Sequence, residues 1–224
     1  HINNTEVSDT THAQLFINDG NEVFTAIKLD TSTPYSRGAA MVDLDGDGDL
    51  DILFGWQGSA GKSFTWWENN GGLTFTRHDV STSNNLVWDF EVIDFDTDGD
   101  LDIIVAGNDV FYYKNDGNQN FIEHFISTNG NYKVAALDYN NDGNMDIFTI
   151  HAGIHNSLFG HINNGDNTFT DSTFVFDDQS FFGGPRAVQA VDFDSDGDVE
   201  LLVTGSRINL IEIDDLFDSG DDGL

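Results

Sequence analysis

Four short acidic segments written in one grammar restrict what this chain can fold into. They read DLDGDGDLD at Asp43–Asp51, DFDTDGDLD at Asp94–Asp102, DYNNDGNMD at Asp138–Asp146 and DFDSDGDVE at Asp192–Glu200. The shared pattern D-x-[DN]-x-D-G-x-x-[DE] puts side-chain oxygens at positions one, three, five and nine. Gly48, Gly99, Gly143 and Gly197 hold position six, where a sharp turn needs the positive φ that glycine alone adopts freely. Alternate side chains of such a loop converge on one centre. A hard divalent cation with an all-oxygen shell fits that centre, and Ca²⁺ fits best, because it takes six to eight oxygens in irregular geometry. Mg²⁺ demands stricter octahedral geometry. Zinc is disfavoured by loops that contain neither Cys nor His.

The candidate metal residues are therefore Asp43, Asp45, Asp47, Asp49 and Asp51; Asp94, Asp96, Asp98, Asp100 and Asp102; Asp138, Asn140, Asp142, Asn144 and Asp146; and Asp192, Asp194, Asp196, Asp198 and Glu200. Position seven of each set (Asp49, Asp100, Asn144, Asp198) is expected to offer its backbone carbonyl. A single Asp-Gly pair is usually a polar turn, but four copies with the same residue classes at the same offsets are not. An EF-hand would need a bidentate Glu at position twelve and flanking helices. The residues that follow here, such as Ile52-Leu53-Phe54 and Ile103-Ile104-Val105, are strand formers.

A second element alternates with the first: FINDGNEVF at Phe16–Phe24, WENNGGLTF at Trp67–Phe75, YKNDGNQNF at Tyr113–Phe121 and HINNGDNTF at His161–Phe169. Each reads as an Asn/Asp-Gly hairpin turn followed by a strand anchored on Phe. Successive acidic loops start 51, 44 and 54 residues apart, a period that signals propeller blades or solenoid turns. One complete unit predicts four strands, Ala39–Asp43, Ile52–Trp56, Phe64–Glu68 and Phe75–Val80. The fold class expected is all-β, a β-propeller of four-stranded antiparallel blades with four calcium-loop repeats, over residues 1–224 as one domain or propeller segment. A partial blade falls at 12–30, with strands Ala13–Ile17 and Phe24–Leu29. Repeats follow at 37–80, 87–127, 132–176 and 186–214, the last ending on a strand at Asn209–Ile213, before an acidic tail at 215–224. The ends do not tile neatly: joined, they could close a final blade with one strand in surplus, and the alternative, towards which the reading leans, is an excerpt of a larger array, with further blades or domains of the same polypeptide as partners.

The segments LDGDGDLDILFG, FDTDGDLDIIVAG, YNNDGNMDIFTIHAG and FDSDGDVELLVTG resemble the FG-GAP/VCBS repeat family, and the W-E-N-N-G and Y-K-N-D-G hairpins resemble the second half of its bacterial version. The resemblance covers nearly the whole chain. It implies a Ca²⁺-stabilised β-propeller of the kind seen in integrin α-subunits, some fungal lectins and many secreted bacterial proteins, with the matching acidic positions as Ca²⁺ ligands. Asn140 and Asn144 depart from the acidic pattern and predict a weaker third site. Glu200 departs at position nine of the fourth.

Charge narrows the partners. The chain carries a formal net charge of −32, and the four loops hold 18 of its 40 acidic residues. Bound cations would neutralise part of that surplus, and the remainder repels nucleic acid and anionic membranes. With no Cys there is no disulfide or thiol chemistry, and no apolar run is long enough to insert into a membrane. Loops of this kind fill most readily where Ca²⁺ is abundant, so an extracellular location, secreted or on the cell surface, is expected.

No catalytic constellation stands out. His78 and His124 share one repeat position, which points to a strand-surface role, and His151 with His155 lacks a third zinc ligand. Trp56, Trp66 and Trp67 are expected in the core. Arg37, Trp88, Tyr132 and Arg186 each sit six residues before a loop Asp, at the start of the innermost strand of a unit. Aromatic and Arg side chains are the residues enriched at binding hot spots, which makes these four the candidate ligand-binding set. The function expected is a non-enzymatic, calcium-stabilised module for adhesion or recognition of a protein or glycan. The competing readings are a propeller of a polysaccharide-degrading enzyme and a structural spacer in a surface fibre.

Overall fold

The computed structural model describes residues 13–29, 36–56, 64–81, 86–129, 132–151, 157–175, 187–191, 199–204 and 208–211. Within them every regular element is a strand. The chain divides into two compact units, His1–Leu86 and Val87–Leu224.

The first unit holds two sheets. β1 (Gln14–Asn18) pairs antiparallel with β2 (Phe24–Lys28), and β3 (Ser36–Val42), β4 (Asp51–Trp56), β5 (Phe64–Asn69) and β6 (Phe75–Ser81) form a meander in chain order. The second unit repeats that meander with β7 (Val87–Ile93), β8 (Asp102–Gly107), β9 (Val110–Asn115) and β10 (Phe121–Ser127), and again with β11 (Lys133–Leu137), β12 (Asp146–His151), β13 (Ser157–Asn163) and β14 (Phe169–Val175). A three-stranded sheet of β15 (Ala187–Val191), β16 (Glu200–Thr204) and β17 (Ile208–Ile211) follows. This is the all-β architecture of repeated four-stranded antiparallel sheets, each an open sheet, expected from the sequence.

The imperfect polar alternation of the strands has a direct cause. On β11, Val134 and Ala136 pack with Ile104, Ala106, Val110 and Tyr112 of the preceding sheet, whereas Ala135 and Leu137 pack with Val188, Leu201 and Val203 of the following one. Both faces of the strand are buried, so both must be apolar. In the first unit Trp56 and Trp67 join Leu29, Ile52 and Phe54, and Trp66 is fully buried. The Trp side chains are core residues.

Strand bounds differ from the sequence expectation where the backbone does something that periodicity does not report. The strand expected at Ala39–Asp43 starts at Ser36, because a bulge between Ser36 and Gly38 lets pairing with β4 resume beyond Arg37. The strand expected at Asn209–Ile213 begins one residue earlier, with Ile208–Ile211 described, and its last two residues lie outside the described residues. The acidic tail lies outside the described residues. The Asn/Asp-Gly hairpins are also not two-residue turns. The closing bonds run from Asp19 N to Val23 O, Asn70 N to Thr74 O, Asp116 N to Asn120 O and Asn164 N to Thr168 O. A second left-handed residue appears two positions after each of Gly20, Gly71, Gly117 and Gly165 (Glu22, Leu73, Gln119, Asn167).

Two polar devices join neighbouring sheets in the second unit. Asp89 and Glu91 of β7 accept hydrogen bonds from the edge strand β11, Val134 N to Asp89 at 3.2 Å and Ala136 N to Glu91 at 2.8 Å, so this edge does not offer those donors to another chain. At the far side, buried His161 has Nδ1 2.7 Å from Asp171 Oδ1 and Nε2 3.0 Å from Thr149 Oγ1, while Ser127 Oγ donates to Asp171 Oδ2 at 2.8 Å. Burial, partly opposed by Asp171, pushes the His161 pKa below its usual 6.5. Burial raises Asp171, but the bonds from His161, Ser127 and Asn129 outweigh it and hold that carboxyl low. A histidine held neutral in the fold binds protons less tightly than in the unfolded chain, so its contribution to stability is present above pH 6.5 and is lost as pH falls below it. Urea midpoints measured at pH 7.5 and pH 5 should therefore fall more steeply for the wild type than for His161→Gln.

Candidate metal loops and ligand surfaces

Each acidic loop is built by its own carboxylates before any cation is considered. Position one accepts the amide of the position-six glycine: Gly48 N to Asp43 Oδ2 at 3.0 Å, Gly99 N to Asp94 at 3.1 Å and Gly143 N to Asp138 at 2.9 Å. The glycines sit at φ of 96°, 98° and 87°, a region costly for any residue with a Cβ. Position four is left-handed as well (Gly46, Thr97, Asn141), which the sequence pattern did not show because three different residues occupy it.

Position nine does something different from the other ligands. Asp51, Asp102 and Asp146 are fully buried. One oxygen accepts the amide of loop position two, from Leu44, Phe95 and Tyr139 at 3.0, 3.1 and 3.1 Å. The other accepts the amide of the first hairpin Asn, from Asn69, Asn115 and Asn163 at 2.8, 2.7 and 2.7 Å. The same Asn side chains donate back to Leu50 O, Leu101 O and Met145 O and accept from Gly71 N, Gly117 N and Gly165 N. The hairpin Asn is thus the functional residue that the sequence reading missed. Its signal was there, an Asn two residues before the turn Gly in each of the four hairpins, but it was read as turn chemistry alone. The position-seven side chain packs over the hairpin: a Cβ on Gly117 would lie 2.5 Å from Asp100 Oδ2, which leaves position seven its carbonyl for the loop.

The first two loops fit a metal ion. Carboxylate oxygens of Asp43, Asp45 and Asp51, and of Asp94, Asp96 and Asp102, lie within 4.8 Å of one another. Asp43 Oδ1 and Asp94 Oδ1 are buried with no hydrogen-bond partner. A desolvated carboxylate oxygen without a donor is costly, and a cation is the partner that removes the cost. Burial, with Asp51, Asp47 and Glu68 adding to it against the bond from Asp47, raises Asp45. Burial lifts Asp102 and Asp146 to about 6 against the bonds they accept.

The loops differ in how this charge is met. In the second, Lys114 Nζ contacts Asp96 and lies 3.1 Å from Asp98 Oδ2. In the third, Asn140 and Asn144 donate side-chain amides to Asp142, and Asp138 accepts from both Asp142 N and Gly143 N. The carboxylates of the third loop are met by donors from within it. Residues 192–198 lie outside the described residues; Glu200 is buried at the start of β16.

Of the ligand-binding set, Trp88 and Tyr132 are brought together, with ring centroids 4.9 Å apart on neighbouring sheets. Trp88 is skipped by a bulge between Val87 and Asp89, as Arg37 is between Ser36 and Gly38. Tyr132 is 39% exposed, and Lys133 beside it is paired with Asp89 at 3.0 Å. Arg186 and His155 lie outside the described residues. A second surface, which the sequence did not indicate, is a narrow cleft floored by Phe95, Tyr112, His124 and Phe169 and rimmed by Asp96, Asn163 and Asn167. His124 stacks on Tyr112, and His78 stacks on Trp66 and meets Glu68 at 2.7 Å; both are strand-surface residues.

The profile of the family described as FG-GAP-like repeat matches residues 7–54, 43–105 and 138–203. No curated protein matches the chain. Among solved structures, an Agrocybe aegerita lectin, described as specifically recognising non-reducing terminal N-acetylglucosamine, superposes with a TM-score of 0.57 at 16% identity, over 89% of this chain. The chain spans 65% of that lectin's length, and the likeness is one of fold.

Because position nine straps loop to hairpin, Asp102→Asn should destabilise the protein in chelator by about 2–3 kcal/mol, as an amide replaces a buried acceptor facing backbone N–H groups. Urea denaturation measures it. A loss confined to cation-containing buffer would show that Asp102 is only a metal ligand.

Proposed function

Because the chain belongs to the family of FG-GAP-like repeats, we propose that it is a calcium-stabilised recognition module of the bacterial secreted type, acting outside the cell, without catalysis, on a glycan. The observation that carries the glycan reading is the Trp88–Tyr132 ring pair at a bulged strand start. Bulges turn a side chain out of the pleat and recur beside binding sites, and an exposed aromatic face with polar neighbours suits the apolar face of a sugar ring. Arg37 occupies the equivalent bulge in the first unit and Arg186 the equivalent sequence position in the last repeat, so the same device is offered with different chemistry. The lectin of similar fold supports a carbohydrate over a protein ligand.

The donor set supports calcium: carboxylate oxygens in an irregular small loop, one of them buried and unpaired in each of the first two loops, without nitrogen or sulfur ligands. Asp43, Asp45, Asp47 and Asp51, with their counterparts in the later loops, would hold it, and its role is structural. Among the described residues, the Thr149–His161–Asp171 chain has the outline of a catalytic triad, but Thr149 and His161 are both fully buried, which supports a non-enzymatic reading.

Two measurements test this. Chelator should lower the melting temperature reversibly, since an ion at a hundred times its Kd adds about 2.7 kcal/mol per site; a metal-free sample that melts unchanged on Ca²⁺ addition overturns the calcium assignment. On a glycan array, glycans ending in N-acetylglucosamine are the first expected hits, and Tyr132→Ala should weaken them by about tenfold or more, the scale of an aromatic hot spot. Loss on His124→Ala instead would move the site to the Phe95–Tyr112 cleft. An array with no bound glycan overturns the glycan reading.

A further inference from the structure

The residue immediately before the hairpin Asn occupies one register position in each repeat, and its charge changes from copy to copy. It is Glu68 in the first, Lys114 in the second and Ile162 in the third. These residues pair with Thr76, Ile122 and Thr170 on the outer strand, so they are structurally equivalent rather than merely similar in sequence. From this position a long side chain can reach the acidic loop. Glu68 holds His78 Nε2 at 2.7 Å rather than the loop itself, and its negative charge is still felt at Asp45. Lys114 reaches the loop as a cation, with its ammonium on Asp96 and 3.1 Å from Asp98. Ile162 brings no charge.

We propose that Lys114 is a tethered counter-ion of the second loop, a competitor for the divalent ion that sets the affinity of this site below that of the first. The inference rests on the reading of the loops as cation sites and goes beyond it by assigning their ranking to a residue outside the ligand pattern. An ammonium has three donors and one unit charge. Lodged on the carboxylates of positions three and five, it neutralises part of the loop in the absence of metal. A divalent ion seeking those oxygens must first displace the ammonium, and the displaced charge then remains nearby and repels it. Around the first loop the equivalent Glu68 works in the opposite sense, adding to the field that draws a cation in. Asp94 Oδ1 stays without a partner despite Lys114, so the ammonium leaves the innermost oxygen of the loop to a metal and holds only the outer pair. The first loop fills first, and the second fills only as the cation concentration rises.

The test uses the full chain, with CaCl₂ as the titrant in calorimetry and thermal melts in EDTA and in excess Ca²⁺. Lys114→Ile copies the third repeat, and Lys114→Gln keeps side-chain length should the first variant fold poorly. Removing the ammonium should tighten one of the wild-type sites by roughly tenfold, the scale of one screened unit charge near a divalent ion. Glu68→Lys should weaken a different site by a similar factor. The melts should split by condition: the Lys114 variants melt below wild type in EDTA, where the loop has lost its own neutraliser, and at or above it in excess Ca²⁺. A wild type that binds Ca²⁺ while the variants give superimposable isotherms and an equal melting loss in both buffers overturns the proposal and leaves the metal sites standing. A wild type with no Ca²⁺ isotherm overturns the metal reading, and the competitor role falls with it.

Discussion

The interaction on which the rest of the structure depends is the buried carboxylate at loop position nine. As Asp51, Asp102 and Asp146 it stands at the first residue of the second strand of three repeats, out of water, with one oxygen on the acidic loop and the other on the Asn-Gly hairpin. Two turns far apart in sequence are thereby fixed to one atom group, and the three strands they bracket acquire a common register. Burial of a charge is tolerated because charge-assisted bonds to backbone amides are strong and short. The same burial raises its affinity for protons, and for any cation that reaches it. Fold and metal chemistry share this residue, which is why the acidic pattern continues unbroken into the strand.

From that strap the sheet order follows. The hairpin closes β5 onto β6, β9 onto β10 and β13 onto β14, while the loop closes the first strand of each meander onto the second. The first strand is then left as an edge. At β11 that edge is covered on both faces by apolar neighbours and capped at two amides by Asp89 and Glu91. Acidic loops gather charge at one end of the strands, and the bulged residues of β3 and β7 stand at the other. Local chemistry is divided along the strand axis, with carboxylates at one end and Arg37 or Trp88 at the opposite end.

Much of this was legible in the sequence, for identifiable reasons. Gly48, Gly99 and Gly143 announced the turn because only glycine is comfortable at φ near 90°. Trp56, Trp66 and Trp67 announced a core because apolar side chains of that size are seldom left in water. The double role of Asp102 was not legible, since a metal ligand and an acceptor of backbone amides are the same letter. Neither was the reach of Lys114, because its partners Asp96 and Asp98 lie 18 and 16 positions earlier in the chain and meet it only across paired strands. The hairpin length was not legible either: Asn-Gly suits a two-residue turn, yet Asn115 Oδ1 holds the Gly117 amide and the turn closes as a wider loop.

The bulges at Arg37 and Trp88 have a meaning beyond geometry. A residue within the pleat answers to its cross-strand partner and to the sheet behind it, so few substitutions are accepted there. A bulged residue is released from the first obligation, because the ladder resumes on either side of it. The repeats that begin at β3 and β7 thus each contain one position whose side chain has no cross-strand partner to match. Arg at one and Trp at the other show that the two sheets pair in the same way around very different side chains.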